Sequence, residues 1–210
     1  MPHAPVRLAI DHLAVTCGTL AEGAAHVEAA LGAATGPGGQ HADMGTHNRL
    51  MSLGPDLYLE AIAPDPEAPA PARARFFELD HAGAPRLAHW IARVNDIDAA
   101  IAAAPVATGP ALAMSRGALS WRLTVPEDGH LPMGGLFPSL IAWPDIPHPA
   151  ARMADEGCRL TQLELEGPGA AVLAHWLAAH CPDPRLVLRE GPQVRLRATF
   201  DTPRGVRVLE

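Results

Sequence analysis

The feature that most constrains this chain is a recurrence. Arg7-Leu8-Ala9-Ile10-Asp11-His12-Leu13-Ala14-Val15 reads as a strand, and a helical pattern follows within a few residues. The same order returns at Arg86-Leu87-Ala88-His89-Trp90-Ile91-Ala92 and at Arg159-Leu160-Thr161-Gln162-Leu163-Glu164-Leu165. Each copy places an apolar residue two positions before a side chain able to ligate or hydrogen-bond: His12, His89 and Gln162. A strand–helix unit returning every ~75 residues is an internal repeat, and a repeat restricts architecture more than local propensity does.

In the first unit the strand covers 8–15. Thr19-Leu20-Ala21-Glu22 is a capping box, Leu20, Ala24, Val27 and Leu31 share one helix face, and Gly32 ends the helix. Strands are expected over 48–53 and 57–63 around a Gly54-Pro55-Asp56 turn, with a further short strand before Asn48. Prolines at 64, 66, 69 and 71 make a stiff connector, after which Phe76-Phe77 packs a short helix onto the body. The second unit starts at Leu87. Asn95 or Asp96 caps a short helix through Ile97 and Ile101, and strands follow over 118–125 and 136–143, with another before Ser115. A second proline-rich connector spans 144–149. In the third unit Pro168 suits the first helical position, Val172, Leu173, Trp176 and Leu177 form the apolar stripe, and strands cover 185–188, 193–200 and 206–209. The expected organisation is a domain over 1–150 made of two units (about 7–64 and 86–144). A third unit over 151–210 packs on it or mediates dimerisation.

Composition excludes some partners. The net charge is -7, and all 16 basic residues are arginine. No basic run is interleaved with aromatics, so no nucleic-acid partner is expected. Cys17, Cys158 and Cys181 are odd in number and lack metal-like spacing, which fits a reducing cytoplasm. No basic segment leads into an apolar run near the start, and no apolar run approaches the roughly 20 residues of a membrane span. A cytoplasmic protein without a signal peptide or membrane partner is the expectation.

A strand–helix–strands unit with His on its first strand and Glu on its last resembles the vicinal oxygen chelate superfamily, which includes glyoxalase I, extradiol dioxygenases and bleomycin-resistance proteins. Residues 39–50 and Tyr58-Leu59-Glu60-Ala61-Ile62-Ala63-Pro64 are similar to a bacterial subgroup, the glyoxalase-like domain proteins. Pro138-Ser139-Leu140-Ile141-Ala142-Trp143 and Pro147-His148-Pro149 fit the same subgroup. The resemblance covers most of the chain and implies an α+β fold of βαβββ units with strongly curved mixed sheets. In that superfamily two units pair into a cup with a metal inside. Carried over, His12 and Glu60 take the ligand positions of unit one, and His89 takes the first-strand position of unit two. The last strand of unit two, at Ser139 and Leu140, has no acid, and a third unit is a departure from simple pairing.

Strand alternation puts Ile10, His12 and Ala14 on one face, and Tyr58, Glu60 and Ile62 on another. A carboxylate on a buried face must be paired, protonated or bound to metal. Two His and one carboxylate suit a divalent Fe, Mn, Zn or Ni ion. Without a metal, Glu60, its pKa raised by burial, would act as general base. His47 and Asn48 are read as substrate contacts at the cup rim, and Arg116 and Trp143 as binders of an acidic or aromatic group. His41 and Trp121 read as loop and core residues. Cys17 has no identifiable base beside it. Gln162 and Glu210 repeat the 48-residue spacing of His12 and Glu60, so a site shared by units one and three competes with the pairing of one and two. The implied function is a metal-dependent lyase, isomerase or dioxygenase on a small oxygenated metabolite, the alternative being a non-catalytic small-molecule binding or resistance protein. A homodimer is the expected assembly.

Overall fold

The computed structural model describes residues 5–117, 119–144 and 147–210. Ala118, where a strand was expected to start, and two residues of the second proline-rich connector lie outside them. The first unit runs β1 (Leu8–Thr16), α1 (Leu20–Leu31), β2 (Gln40–His41), β3 (Thr46–Ser52) and β4 (Tyr58–Pro64). The second runs β5 (Arg86–Val94), α2 (Ile97–Ala103), β6 (Ala111–Arg116), β7 (Leu119–Thr124) and β8 (Ser139–Ala142). The third runs β9 (Arg159–Glu166), α3 (Ala170–His180), β10 (Leu186–Arg189), β11 (Arg195–Thr202) and β12 (Gly205–Leu209). α1 and α2 start where the sequence places their caps, whereas α3 starts after Gly169, so Pro168 precedes the helix and does not hold its first position. Thr19 accepts the Glu22 N–H, Asp96 accepts the Ala99 N–H, and Gly32 closes α1 in the left-handed region at φ 68°.

Units one and two build one eight-stranded mixed sheet in the order β2-β3-β4-β1-β5-β8-β7-β6. In each unit the first strand lies parallel to the last, β1 with β4 and β5 with β8, and β1 and β5 pair antiparallel at the centre. The sheet curls until its edge strands β2 and β6 touch, which makes it a nearly closed cup.

The third unit departs from this plan. Its sheet is separate, in the order β10-β9-β11-β12, and the parallel partner of β9 is the strand that follows its helix, not the last strand. It therefore does not complete the first sheet, and Glu210 is not equivalent to Glu60. Glu210 is exposed and pairs with Arg197 at 2.9 Å, so the competing four-residue site is not formed. The alternation of β9 holds all the same. Leu163 and Leu165 are buried, while Glu164 and Glu166 line a groove of about 570 Å³ against Arg86, Arg195 and Arg197.

One core joins the two sheets. Leu13, Val15 and Trp90 from the first pack with Val27 and Leu31 of α1 and with Leu163, Leu165, Leu196 and Phe200 from the second. Trp90 is fully buried and donates its indole N–H to the Leu136 carbonyl at 2.9 Å, while Trp176 of α3 donates to the Ala103 carbonyl at the end of α2. A second apolar cluster, with Ala14, Ile62, Ile91 and Leu123, faces into the cup. No helix among the described residues is long and apolar enough to cross a membrane.

Because Phe200 is wholly buried in the shared core, Phe200→Ala should cost about 3–5 kcal/mol. Thermal melts should show one transition moved down, with no separate early melting of the third unit.

Candidate functional site

The site begins with an irregularity in β1. Ile10 pairs with Ala92 and His12 with Ile91, so Asp11 is an extra residue in the strand. A bulge of this kind resets which side chains face inward. Leu8, Ile10, Leu13 and Val15 all join the outer core, and Asp11 and His12 lie side by side facing the cup. The expected grouping of Ile10 with His12 is thus corrected, because simple alternation cannot pass through a bulge.

Both side chains are almost wholly buried, so their charges must be paired. Asp11 accepts from His12 Nδ1 at 2.7 Å with one oxygen, and from Trp143 Nε1 and His148 Nε2 at 3.0 Å each with the other. An ionised carboxylate can only accept, so both imidazoles carry their protons on those nitrogens. Burial opposes the Asp11 charge, but the His12 and His148 hydrogen bonds outweigh it and hold the carboxyl well below its usual range. His12 then presents Nε2 to Glu60 at 3.4 Å and stacks on Tyr58 with ring centroids 4.4 Å apart. Burial disfavours its imidazolium, yet the two flanking carboxylates prevail and raise it to about 9. Glu60 is buried as well. Desolvation pushes its pKa up, and His12 and the Asn48 amide, which donates at 2.7 Å, bring it down on balance. The upward shift expected for Glu60 is therefore reversed: burial alone would give it, but burial comes with an imidazolium.

Asn48 is fixed by the glycines before it. Its side-chain oxygen accepts from Gly39 N at 3.0 Å and from Arg116 Nη1 at 3.2 Å. A Cβ on Gly38 would lie 1.8 Å from the Asn48 carbonyl oxygen, so only glycine lets the loop close on β3. His41 hydrogen-bonds Thr46 at 3.0 Å, and burial lowers its pKa to about 4, so its ring is neutral. The cavity here measures only about 30 Å³. His12, His41, Asn48, Tyr58 and Glu60 line it together with Phe76, Phe77, Arg116, Trp121 and Trp143.

His12, Glu60, Asn48, Arg116 and Trp143 come together as the sequence suggests; two expected residues do not. His47 points away from its neighbour Asn48 and approaches Asp65 at 4.0 Å, on the other face of β3. His89 does not join His12 and Glu60. Its Nε2 accepts the Ser139 N–H at 3.0 Å, burial lowers its pKa to about 3, and Phe77 packs on its ring and lines the cavity in its place. The lone pair a metal would need is already used. Among the described residues no three His, Cys, Asp or Glu side chains are grouped to hold a metal ion. His12, His41 and Glu60 line the cavity without forming such a group, and the Arg116 cation lines it too, so the residues present do not fit a divalent metal. Asp11, His41, Tyr58 and Trp121 escaped sequence reasoning. The signal for Asp11 was present, a carboxylate inside an otherwise apolar strand. Cys17 is buried, donates to the Ile62 carbonyl and is pushed up to about 11 by desolvation, so it is no nucleophile.

A family model described as the glyoxalase-like domain matches residues 10–181, which span both units of the cup and continue into the third. The chain belongs to that family. Glyoxalase-like proteins of this type are members of the vicinal oxygen chelate superfamily. The fold resembles a hypothetical protein from Staphylococcus aureus, 13% identical, with a TM-score of 0.63 over 90% of this chain and 88% of that one. A methylmalonyl-CoA epimerase from Mycobacterium tuberculosis matches at 21% identity and TM-score 0.44, over 64% of this chain and 87% of that one. The Streptomyces coelicolor epimerase bound to 2-nitronate-propionyl-CoA matches at 19% and 0.43, over 67% and 97%. No curated protein matches at the sequence level.

The ion pairs tie stability to pH. A His raised from 6.5 to about 9 stabilises the fold fully below pH 6.5, and that contribution is lost as pH rises through 9. Asp11 and Glu60, both lowered, act with opposite sign: their contribution is present above pH 4.5 and is lost on acidification. The Tm should therefore be highest between pH 4.5 and 6.5 and fall toward pH 9, and His12→Gln should flatten the alkaline limb. Gly38→Ala should cost about 1–3 kcal/mol by overpacking, read as a lowered midpoint in urea.

Proposed function

We infer that this glyoxalase-like protein is an acid–base enzyme, an isomerase or lyase that moves a proton on a carbon next to a carbonyl. The observation that carries this is the buried Asp11–His12–Glu60 row at the wall of the cavity. Glu60 is held ionised and lines the cavity, so it is the base. His12 is held protonated with Nε2 on the same side, so it donates a hydrogen bond to the oxygen on which enolate charge develops. That is stabilisation by a preorganised donor in a buried place. Asp11 touches no reacting atom; it fixes the His12 proton on Nδ1 and opposes loss of the imidazolium charge. Arg116 and Asn48 stand at the opening, suited to a carboxylate or a second oxygen of the substrate. As the substrate carbonyl takes over the Nε2 proton, Glu60 loses its partner and becomes a stronger base, which brings its pKa toward the range useful for catalysis.

The test is α-proton exchange in D2O, followed by NMR, on a panel of 2-oxo and 3-oxo carboxylic acids. Exchange above background should fall by about 100-fold or more in Glu60→Gln, at a temperature where melting curves show that the variant is folded. It should be the same before and after treatment of untagged protein with a chelator. Equal exchange in Glu60→Gln would discard the assignment. One observation favours the second reading, a non-catalytic binder: the charges of the row already satisfy one another. Tight binding of an acid that never exchanges its protons would decide for it.

A further inference from the structure

The reacting cavity is too small for a substrate. At about 30 Å³ it has room for one water-sized group, which matches a carbonyl oxygen or a methyl and no more. Immediately beside it lies a groove of about 670 Å³, within the range of small-molecule sites. The two spaces share one side chain, Arg116, which lines both and is half-buried between them. From Arg116 the contacts run inward to Asn48 at 3.2 Å and on to Glu60 at 2.7 Å. Outward, the groove walls are mainly apolar, with Leu50, Leu119, Pro149 and Met153 among them. Its described charged lining comprises Arg116, the exposed Arg152 and one acid, Glu156. Leu50 and Met153 pack with Tyr58, the residue stacked on His12, so the groove wall continues into the wall of the cavity.

We propose that the groove is the binding site for the body of the substrate, and that the substrate is an amphipathic carboxylic acid with an alkyl tail. Its carboxylate sits at Arg116, its reacting carbonyl end reaches inward to His12 and Glu60, and its tail lies outward along Leu50, Leu119 and Met153. The orientation rests on the acid–base reading given above; the groove as a site for an anionic, apolar ligand does not. A guanidinium offers a planar fork to a carboxylate, and the apolar wall supplies affinity in proportion to the tail it covers. Arg116 is thus a residue that sets specificity, favouring acids over neutral chains of the same length.

Titration calorimetry with hexanoate, octanoate and decanoate as probes tests this on the full chain. Affinity should rise about two- to fourfold with each methylene until the groove is filled. Arg116→Met should weaken decanoate at least tenfold and leave decanol unchanged, with Arg116→Lys recovering part of the loss. Leu119→Glu should abolish the dependence on length. Melting curves establish that each variant is folded. A flat series, or equal decanoate binding in Arg116→Met, overturns the proposal. The two readings fail separately. If Glu60→Gln keeps the length dependence and no acid exchanges its protons, the reaction is wrong and the groove stands. If short oxo acids exchange and added length gains nothing, the groove is wrong and the reaction stands.

Discussion

The constraint on which the rest depends is the extra residue in β1. By inserting Asp11 beside His12, the bulge puts a carboxylate and an imidazole on a face that the curled sheet then closes off from water. Two buried ionisable groups can survive there only as a pair, and the pair determines what may surround it. Trp143 and His148 must donate to the second Asp11 oxygen, Glu60 must face His12, and Asn48 must satisfy Glu60. The partners come from four segments, so the network ties β1, β3, β4 and the stretch after β8 into one arrangement. Such networks are demanding, because a missing member leaves a charge in low dielectric. Apolar residues of the same volume often hold a fold as well as a buried row of charges does.

Strain is stored next to this network. Phe77 and Glu78 are consecutive non-glycine residues in the left-handed region, at φ 59° and 56°. Each such residue costs about 1–2 kcal/mol and persists only where its surroundings over-determine it. Here the Glu78 N–H bonds the Gly129 carbonyl at 3.0 Å, and its carboxylate meets His130 at 3.1 Å and the Leu131 N–H at 3.3 Å. The result is that Phe76 and Phe77 both turn into the cup. Phe77 covers His89 and lines the cavity beside the His12–Glu60 pair.

The pairing of units one and two follows from strand order. Both have the first strand parallel to the last, so joining β1 to β5 gives a continuous curved sheet with the two concave faces opposed. The third unit begins with the same local pattern but pairs β9 with β10, which sends its sheet away from the cup and onto the outer core. Its polar strand face lines a charged groove because no partner sheet covers that side.

What the sequence determined by itself is local and periodic. The capping signals of α1 and α2, the alternation of β9 and the repeated strand–helix order follow from backbone chemistry and nearest neighbours; the fold class came from that order together with the family resemblance, which also singled out His12 and Glu60. Tertiary structure decided what depends on long-range pairing. Whether His89 is a ligand hangs on a hydrogen bond from Ser139, fifty residues away. Whether His47 or His41 reaches the cavity hangs on where β3 begins. The sign of the Glu60 shift hangs on an imidazolium brought from another strand. Strand register and ion pairing are set by which segments meet, and a pattern read along one strand contains no information about its neighbour across the sheet.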